Sequence, residues 1–285
     1  MYLGFCSGAN LNSLVRLAPG DRGLGHRKRI ICKAQADDDS RSPGIARKVI
    51  ALGTWGSLVS YAAFFKPSSL QDTSPVVEEL LKNPLLPDLN PIYFAIFLFI
   101  PSYVLLYAAT LLPAWRIQKW PTSVFLALAT AIGPGALLPY LGLRNYATQP
   151  DPDFTKGKES FMENRWIAAS LTAAGVGLYA NAFGLFDGRM EMVDFIFIAR
   201  WMDYANQFRI DPLVHLSSID FVVLWLAFID PLVEDMRRRR MFTGDPQDYL
   251  TVALIMTIPF LGPCFYLLAR PEADTFGPEK SKTGG

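Results

Sequence analysis

Three side chains on one apolar stretch, VHLSSIDFVVLWLAFIDPLVEDMRRRR, are of types that carry chemistry: His215, Asp220 and Asp230. A histidine exchanges protons near neutral pH, and its ring nitrogen can ligate a haem iron or a chlorophyll magnesium. An aspartate deep in an apolar run is costly when charged, so it is protonated, paired, or a proton-transfer group. On an ideal helix His215 and Asp220 lie about 140° apart and Asp220 and Asp230 about 80° apart, so the three form no single ladder. Asp220 therefore reads either as a protonated acid hydrogen-bonded to a serine or to Asn181, or as a group that moves a proton. Asp230 is followed by Glu234, Arg237 and Arg238, and this reads as an interfacial acid–arginine cluster that ends the segment.

The rest of the composition removes other chemistries. The chain has three cysteines and two histidines. Cys6, Cys32 and His26 lie in a basic leader, which leaves Cys264 and His215 for the folded part. One of each builds no disulfide, zinc site, iron–sulfur cluster or Cys/His nucleophilic pair. Paired Glu-x-x-His motifs for a di-iron site are absent, as are a Walker loop, a dinucleotide fingerprint and a Gly-x-Ser-x-Gly elbow. The net charge of +1 and the lack of a basic stripe interleaved with aromatics argue against nucleic acid as a partner. The sequence identifies no cofactor; a carotenoid or chlorophyll is the bound pigment expected, and chlorophyll or haem is the class that His215 would suit as a metal ligand.

The elements that must position these groups are apolar helices. In 285 residues, 51% are hydrophobic and 19% charged, and the mean hydropathy is +0.22, too apolar for an ordinary soluble domain. Six stretches approach the roughly 20 apolar residues that a bilayer crossing needs: residues 49–65, 92–112, 124–143, 166–186, 217–233 and 249–269. Trp115, Trp120 and Trp166 sit at their edges, where amphipathic rings prefer to lie. A seventh stretch, MVDFIFIARWMDY from Met192, is short and charged, and reads as an amphipathic helix on the membrane surface or packed across the bundle. The expected fold is an all-α membrane protein of about six hydrophobic helices, with the lipid bilayer as its first partner.

The six segments fall into two related halves of three. A shift of 118 residues places Tyr61 on Tyr179, Val104 on Val222 and Pro113 on Pro231. After an insertion that holds the arginines, Gly133-Pro134 meets Gly262-Pro263, and Tyr140-Leu141-x-x-Arg144 meets Tyr266-Leu267-x-x-Arg270. Thr172 and Asn181 lie among Ala173, Ala174, Gly175 and Gly177, small residues that let another helix approach, and read first as packing. Charge decides the topology. With six crossings, AWRIQKW and MRRRR face opposite sides, against the positive-inside rule. A third segment that re-enters, breaking at AIGPGALLP, puts both on the stromal side, because Gly-Pro-Gly interrupts a helix. The domains expected are a chloroplast transit peptide over residues 1–36, membrane units over 37–165 and 166–270, and a disordered polar tail over 271–285. The leader carries six arginines and lysines against the single acid Asp21, which motivates the plastid assignment.

HLSSIDF, the acidic and basic stop after it and the final apolar helix with GPCFYLL resemble the plastid and cyanobacterial multi-span membrane family of the abscisic-acid-deficient, neoxanthin-synthesis protein. The resemblance covers about eighty C-terminal residues and lacks the family's tryptophan before the histidine, where Leu213-Val214 stand. It implies a plastid membrane, a link to carotenoids, and His215 and Asp220 as the matching pair. Two functions are expected. The first is a chloroplast membrane protein, in the thylakoid rather than the envelope, that supports the photosynthetic membrane by holding a lipid, a pigment or a partner helix of a photosynthetic complex. The second is a xanthophyll-modifying enzyme using His215 and Asp220 as acid and base.

Overall fold

The structure, a computed structural model, describes residues 42–64, 74–83, 87–146, 158–186 and 193–271. The expected transit peptide, Lys156 and the tail beyond Pro271 lie outside the described residues. The chain divides into residues 1–45, described only for the opening of the first helix, and residues 46–285, which hold everything that follows. All regular elements among the described residues are helical.

Helix α1 spans Ser42–Phe64, α2 Pro75–Lys82 and α3 Pro91–Leu111. Next come α4, Thr122–Ile132, and α5, Pro134–Leu143. They are followed by α6, Arg165–Ala182, α7, Val193–Ile210, α8, Pro212–Ala227, and α9, Ile229–Arg238. Helices α10, Pro246–Met256, and α11, Leu261–Ala269, come last. Several starts follow one local rule: a short polar side chain accepts the first free N–H groups and proline occupies the first turn, where its missing donor costs nothing. Asn90 caps Ile92 and Tyr93 before Pro91, and Asp211 caps Leu213 and Val214 before Pro212.

Four helical stretches run alternately between an arginine end and a histidine end. Helix α1 starts where Arg47 donates to the Arg144 carbonyl at 2.5 Å and finishes where Tyr61 meets His215. Helix α3 starts at Asn90, bonded to Arg200 and Asp203 of α7, and ends where Arg270 donates to the Ala109 carbonyl. Helix α6 leaves the arginine end beside Glu163, and α8 with α9 returns to it. The junction at Phe228 arises because Pro231 has no N–H for the Ala227 carbonyl, and the helix shortens there without stopping. Pro91–Trp115 and Pro212–Arg238 are each long and apolar enough to cross a membrane, with mean hydropathy 2.1 and 1.9.

Both third segments fold back on themselves. Thr122 and Tyr140 share a hydrogen bond of 2.6 Å and Phe125 stacks on Tyr140 at 5.0 Å. In a straight helix residues eighteen apart are about 27 Å away, so α4 and α5 are the arms of a hairpin. Its two feet are tied by a reciprocal pair: the Gln118 amide donates to the Asn145 carbonyl at 3.0 Å, and the Asn145 N–H donates to the Gln118 side chain at 2.8 Å. Gly133 makes the turn at φ +50°, a conformation that costs glycine little. The segment over residues 249–269, expected as a straight span, is a second hairpin of α10 and α11. It starts six residues after Arg240 and ends with Arg239 donating to the Pro271 carbonyl, so both feet stand at the arginine end.

The second turn uses different residues from those the alignment suggested. Phe260 takes φ +65°, and its N–H donates to the Tyr103 hydroxyl at 2.8 Å while its ring stacks on Phe99 at 4.6 Å. These contacts hold a side chain in a backbone region it rarely adopts. The Pro259 carbonyl, freed at the same break, accepts the Tyr179 hydroxyl at 2.8 Å. Gly262 is not the turn. It lies in α11, where a Cβ would collide with the Ile255 carbonyl of the other arm.

Candidate functional site

His215 is locked by its own chain. Its Nδ1 lies 2.9 Å from the Phe208 carbonyl, which can only accept, so Nδ1 carries a proton. In the neutral ring Nε2 then accepts the Tyr61 hydroxyl at 2.5 Å. Phe208 lies against one side at 4.4 Å and Tyr61 stacks at 5.9 Å. With both nitrogens committed, a metal or substrate atom would have to displace one of these bonds. The ring instead fastens α1 and α7 to α8 at the histidine end, beside Asp211, whose carboxylate also accepts the Ser74 hydroxyl at 2.8 Å.

Asp220 is separate from His215 and faces the first hairpin. A carboxylate oxygen lies 3.8 Å from where a Cβ on Gly133 would sit, beside Ile100 and the start of α5. The half-buried carboxylate has no ion pair or hydrogen bond among the described residues. Asn181, expected as its partner, lies at the far end of α6, where its carbonyl accepts Arg200. The helix termini at Gly133 suit such a group from both sides: α5 offers unpaired N–H groups and α4 unpaired carbonyls. The geometry therefore provides one lone acid at a helix break and no second acid–base group beside it.

The acid–arginine cluster expected to end the segment forms a buried clamp at the arginine end. Arg144, which caps α5, is 2% exposed and pairs with Asp230 at 2.6 Å and with Glu234. Arg270, which caps α11, pairs with Asp235 at 3.0 Å and Glu163 at 3.2 Å. Asp235 is 1% exposed and also accepts Arg239 Nε at 2.9 Å, Arg238 Nη2 at 3.2 Å and the Tyr266 hydroxyl at 2.8 Å. Arg238 reaches on to the Thr110 carbonyl of α3. Each hairpin thus has its last residue tied to acids on α9, and the aligned pairs Tyr140/Arg144 and Tyr266/Arg270 are structural counterparts. Arg237 takes no part in this clamp. Its guanidinium lies over Tyr146 at 5.8 Å and Phe242 at 5.1 Å. Burial pushes the Tyr146 hydroxyl up to about 12, so that ring stays a neutral phenol.

The remaining expected residues serve packing. Thr172 is buried and returns its hydroxyl to the Ala168 carbonyl at 2.7 Å, on the face of α6 that meets α11. Pro134 opens α5, and Pro263 is buried within α11 next to Gly262. On α6, Gly175 lets Phe260 and Leu261 approach within 2.9 Å of its missing Cβ. Among the described residues no group of three or more His, Cys, Asp or Glu could hold a metal ion. Sequence reasoning missed Tyr61, Asp235, Glu163 and Tyr146, whose partners are remote in the chain. No family model, curated protein or solved structure matches the chain.

Proposed function

We propose that the chain is an integral membrane protein of the chloroplast with four crossings and two re-entrant hairpins. It supports the photosynthetic membrane by holding a lipid, a pigment or a partner helix and does no acid–base chemistry of its own. The membrane reading is supported by exposed apolar residues on every outer helix, including Val49, Ile50, Val59 and Phe64 on α1, Val124 and Leu128 on α4, and Leu250 and Leu254 on α10. Large apolar side chains exposed on so many helices suit a lipid-facing surface. The hairpin arms, of 11, 10, 11 and 9 residues, reach about half-way through a hydrocarbon core of about 30 Å. The turn residues Gly133 and Phe260 are buried against α3, α6 and α8, which shelters the irregular backbone where it breaks.

The observation that carries the support reading over the xanthophyll-modifying one is the commitment of both His215 nitrogens, away from Asp220. An acid–base pair must converge on one reacting group, and these two side chains serve different contacts. A plant lacking the protein tests the reading. A fall in one photosynthetic complex with an unchanged carotenoid profile supports it. Loss of a single xanthophyll with complexes intact overturns it in favour of the enzyme.

A further inference from the structure

Around Tyr146, where the first hairpin leaves the bundle, more guanidinium is gathered than carboxylate. Arg47 lies over one side of the cluster, 5.5 Å from the Tyr146 ring centre, and Arg237 lies 5.8 Å from the same ring and 5.1 Å from Phe242. Arg47, Arg144 and Arg237 face two acids, Asp230 and Glu234, and both acids are taken by Arg144, with Arg47 4.0 Å from Asp230. Arg237 has no acid partner among the described residues. The Nε of Arg47 is buried and donates to no acceptor. Buried guanidinium donors ordinarily find an acceptor, and a planar guanidinium held by rings is pre-organised for a phosphate or sulfonate.

We infer that Arg237, with Tyr146, Phe242 and Arg47, forms a site for the anionic headgroup of a membrane lipid. The inference rests on the membrane reading above. The depth fits a headgroup rather than a free anion: Trp120, Leu143 and Trp166 are exposed at this same end, in the kind of belt that marks a membrane–water boundary. Three guanidiniums against two carboxylates leave one positive charge, which matches a singly charged headgroup. Arg237 is half-exposed and reaches the ligand, whereas Arg47, mostly enclosed and already bonded to the Arg144 carbonyl and Asp230, positions Tyr146 from behind.

The full chain, reconstituted in vesicles of equal phosphatidylglycerol and phosphatidylcholine and then extracted, is assayed for bound lipid by native mass spectrometry. Wild type should retain phosphatidylglycerol preferentially, and Arg237→Gln should lower that preference about tenfold, the loss of one charge-assisted hydrogen bond to the headgroup. Phe242→Leu keeps every charge but removes one ring from the guanidinium, and should lower it in the same direction. Lys48→Gln removes an exposed charge from the same end and should leave it unchanged. Equal losses in Arg237→Gln and Lys48→Gln, or no loss in Arg237→Gln, overturn the inference. Displacement of the lipid by an excess of inorganic phosphate would show a free-anion site and also overturn it. A chain that reconstitutes without lipid preference refutes this inference alone, whereas one that stays in the aqueous phase refutes the membrane reading.

Discussion

Replacing Asp235 with asparagine removes one negative charge from four donors and leaves Arg239 and Arg270 only Glu163 as a charged partner. The carboxylate accepts Arg238, Arg239, Arg270 and Tyr266 at 2.8 to 3.2 Å, and the three arginine side chains are 2 to 4% exposed. An asparagine keeps the shape but offers one neutral acceptor, so Arg239 and Arg270 share Glu163 and Arg238 is left with the Thr110 carbonyl. Removing one partner of a buried pair costs about 3 to 5 kcal/mol. At about 2 to 4 °C per kcal/mol for a protein of this size, the thermal midpoint in detergent should fall by about 6 to 20 °C. Asp230→Asn is the internal comparison. Arg144 keeps Glu234, and the Asp230 side chain is 24% exposed, so the loss should be smaller, about 1 to 2 kcal/mol. Adding Arg238→Met to Asp235→Asn should recover part of the loss, because Arg238 already has Nε and Nη1 buried without acceptors. Equal midpoints for the two single variants, or no recovery in the double variant, would refute the clamp.

Three further outcomes follow from named contacts. Asp220→Asn should be tolerated with abundance and function intact, because the carboxylate anchors nothing among the described residues; a stable but inactive variant, read by complementation, would return Asp220 to proton transfer. Gly262→Ala should lower the yield of folded protein sharply, measured by size-exclusion profile, because its methyl would strike the Ile255 carbonyl, whereas Gly177→Ala, with open space at that position, should be neutral. The Thr243, Gly244 and Asp245 N–H groups hold the exposed Asp248 carboxyl below its usual range, led by the Thr243 bond. A depressed carboxyl stabilises above its unfolded value of about 4 and loses that contribution as pH falls through the folded value. Asp248→Asn should therefore lower the midpoint at pH 7 and match wild type at the acid limit, and a difference that persists there would count against this.

How much of this was legible depends on whether the deciding contact is local. AIGPGALLP announces its break, because Gly-Pro-Gly weakens a helix wherever it lies, and the structure turns at Gly133. TIPFLGPCF carries the similar Gly-Pro, yet the chain turns two residues earlier at Phe260. That position is held by Tyr103 and Phe99, 157 and 161 residues away, and no local pattern reports them. The second hairpin was therefore read as a crossing. The same holds at the arginine end, where Asp230, Glu234 and Asp235 look alike in sequence. Only the return of Arg144 and Arg270 separates a partly exposed acid from two buried ones. The aligned Tyr-x-x-x-Arg pairs pointed to that symmetry without showing what they bind. His215 and Asp220 stood out by residue type, and type alone did not reveal that Tyr61 and Phe208 use up one while Gly133 faces the other.

Cysteine labelling from each side of oriented vesicles tests the central claim most directly. In a background with the three native cysteines replaced by serine, single cysteines are placed at Asn145, Arg240, Pro271 and Leu81. Two hairpins entering from the arginine end require Asn145, Arg240 and Pro271 to label from one side and Leu81, on α2, from the other. Labelling of Pro271 from the side opposite Arg240 would mean that the second hairpin crosses the membrane, and would contradict the fold-back geometry on which the account rests.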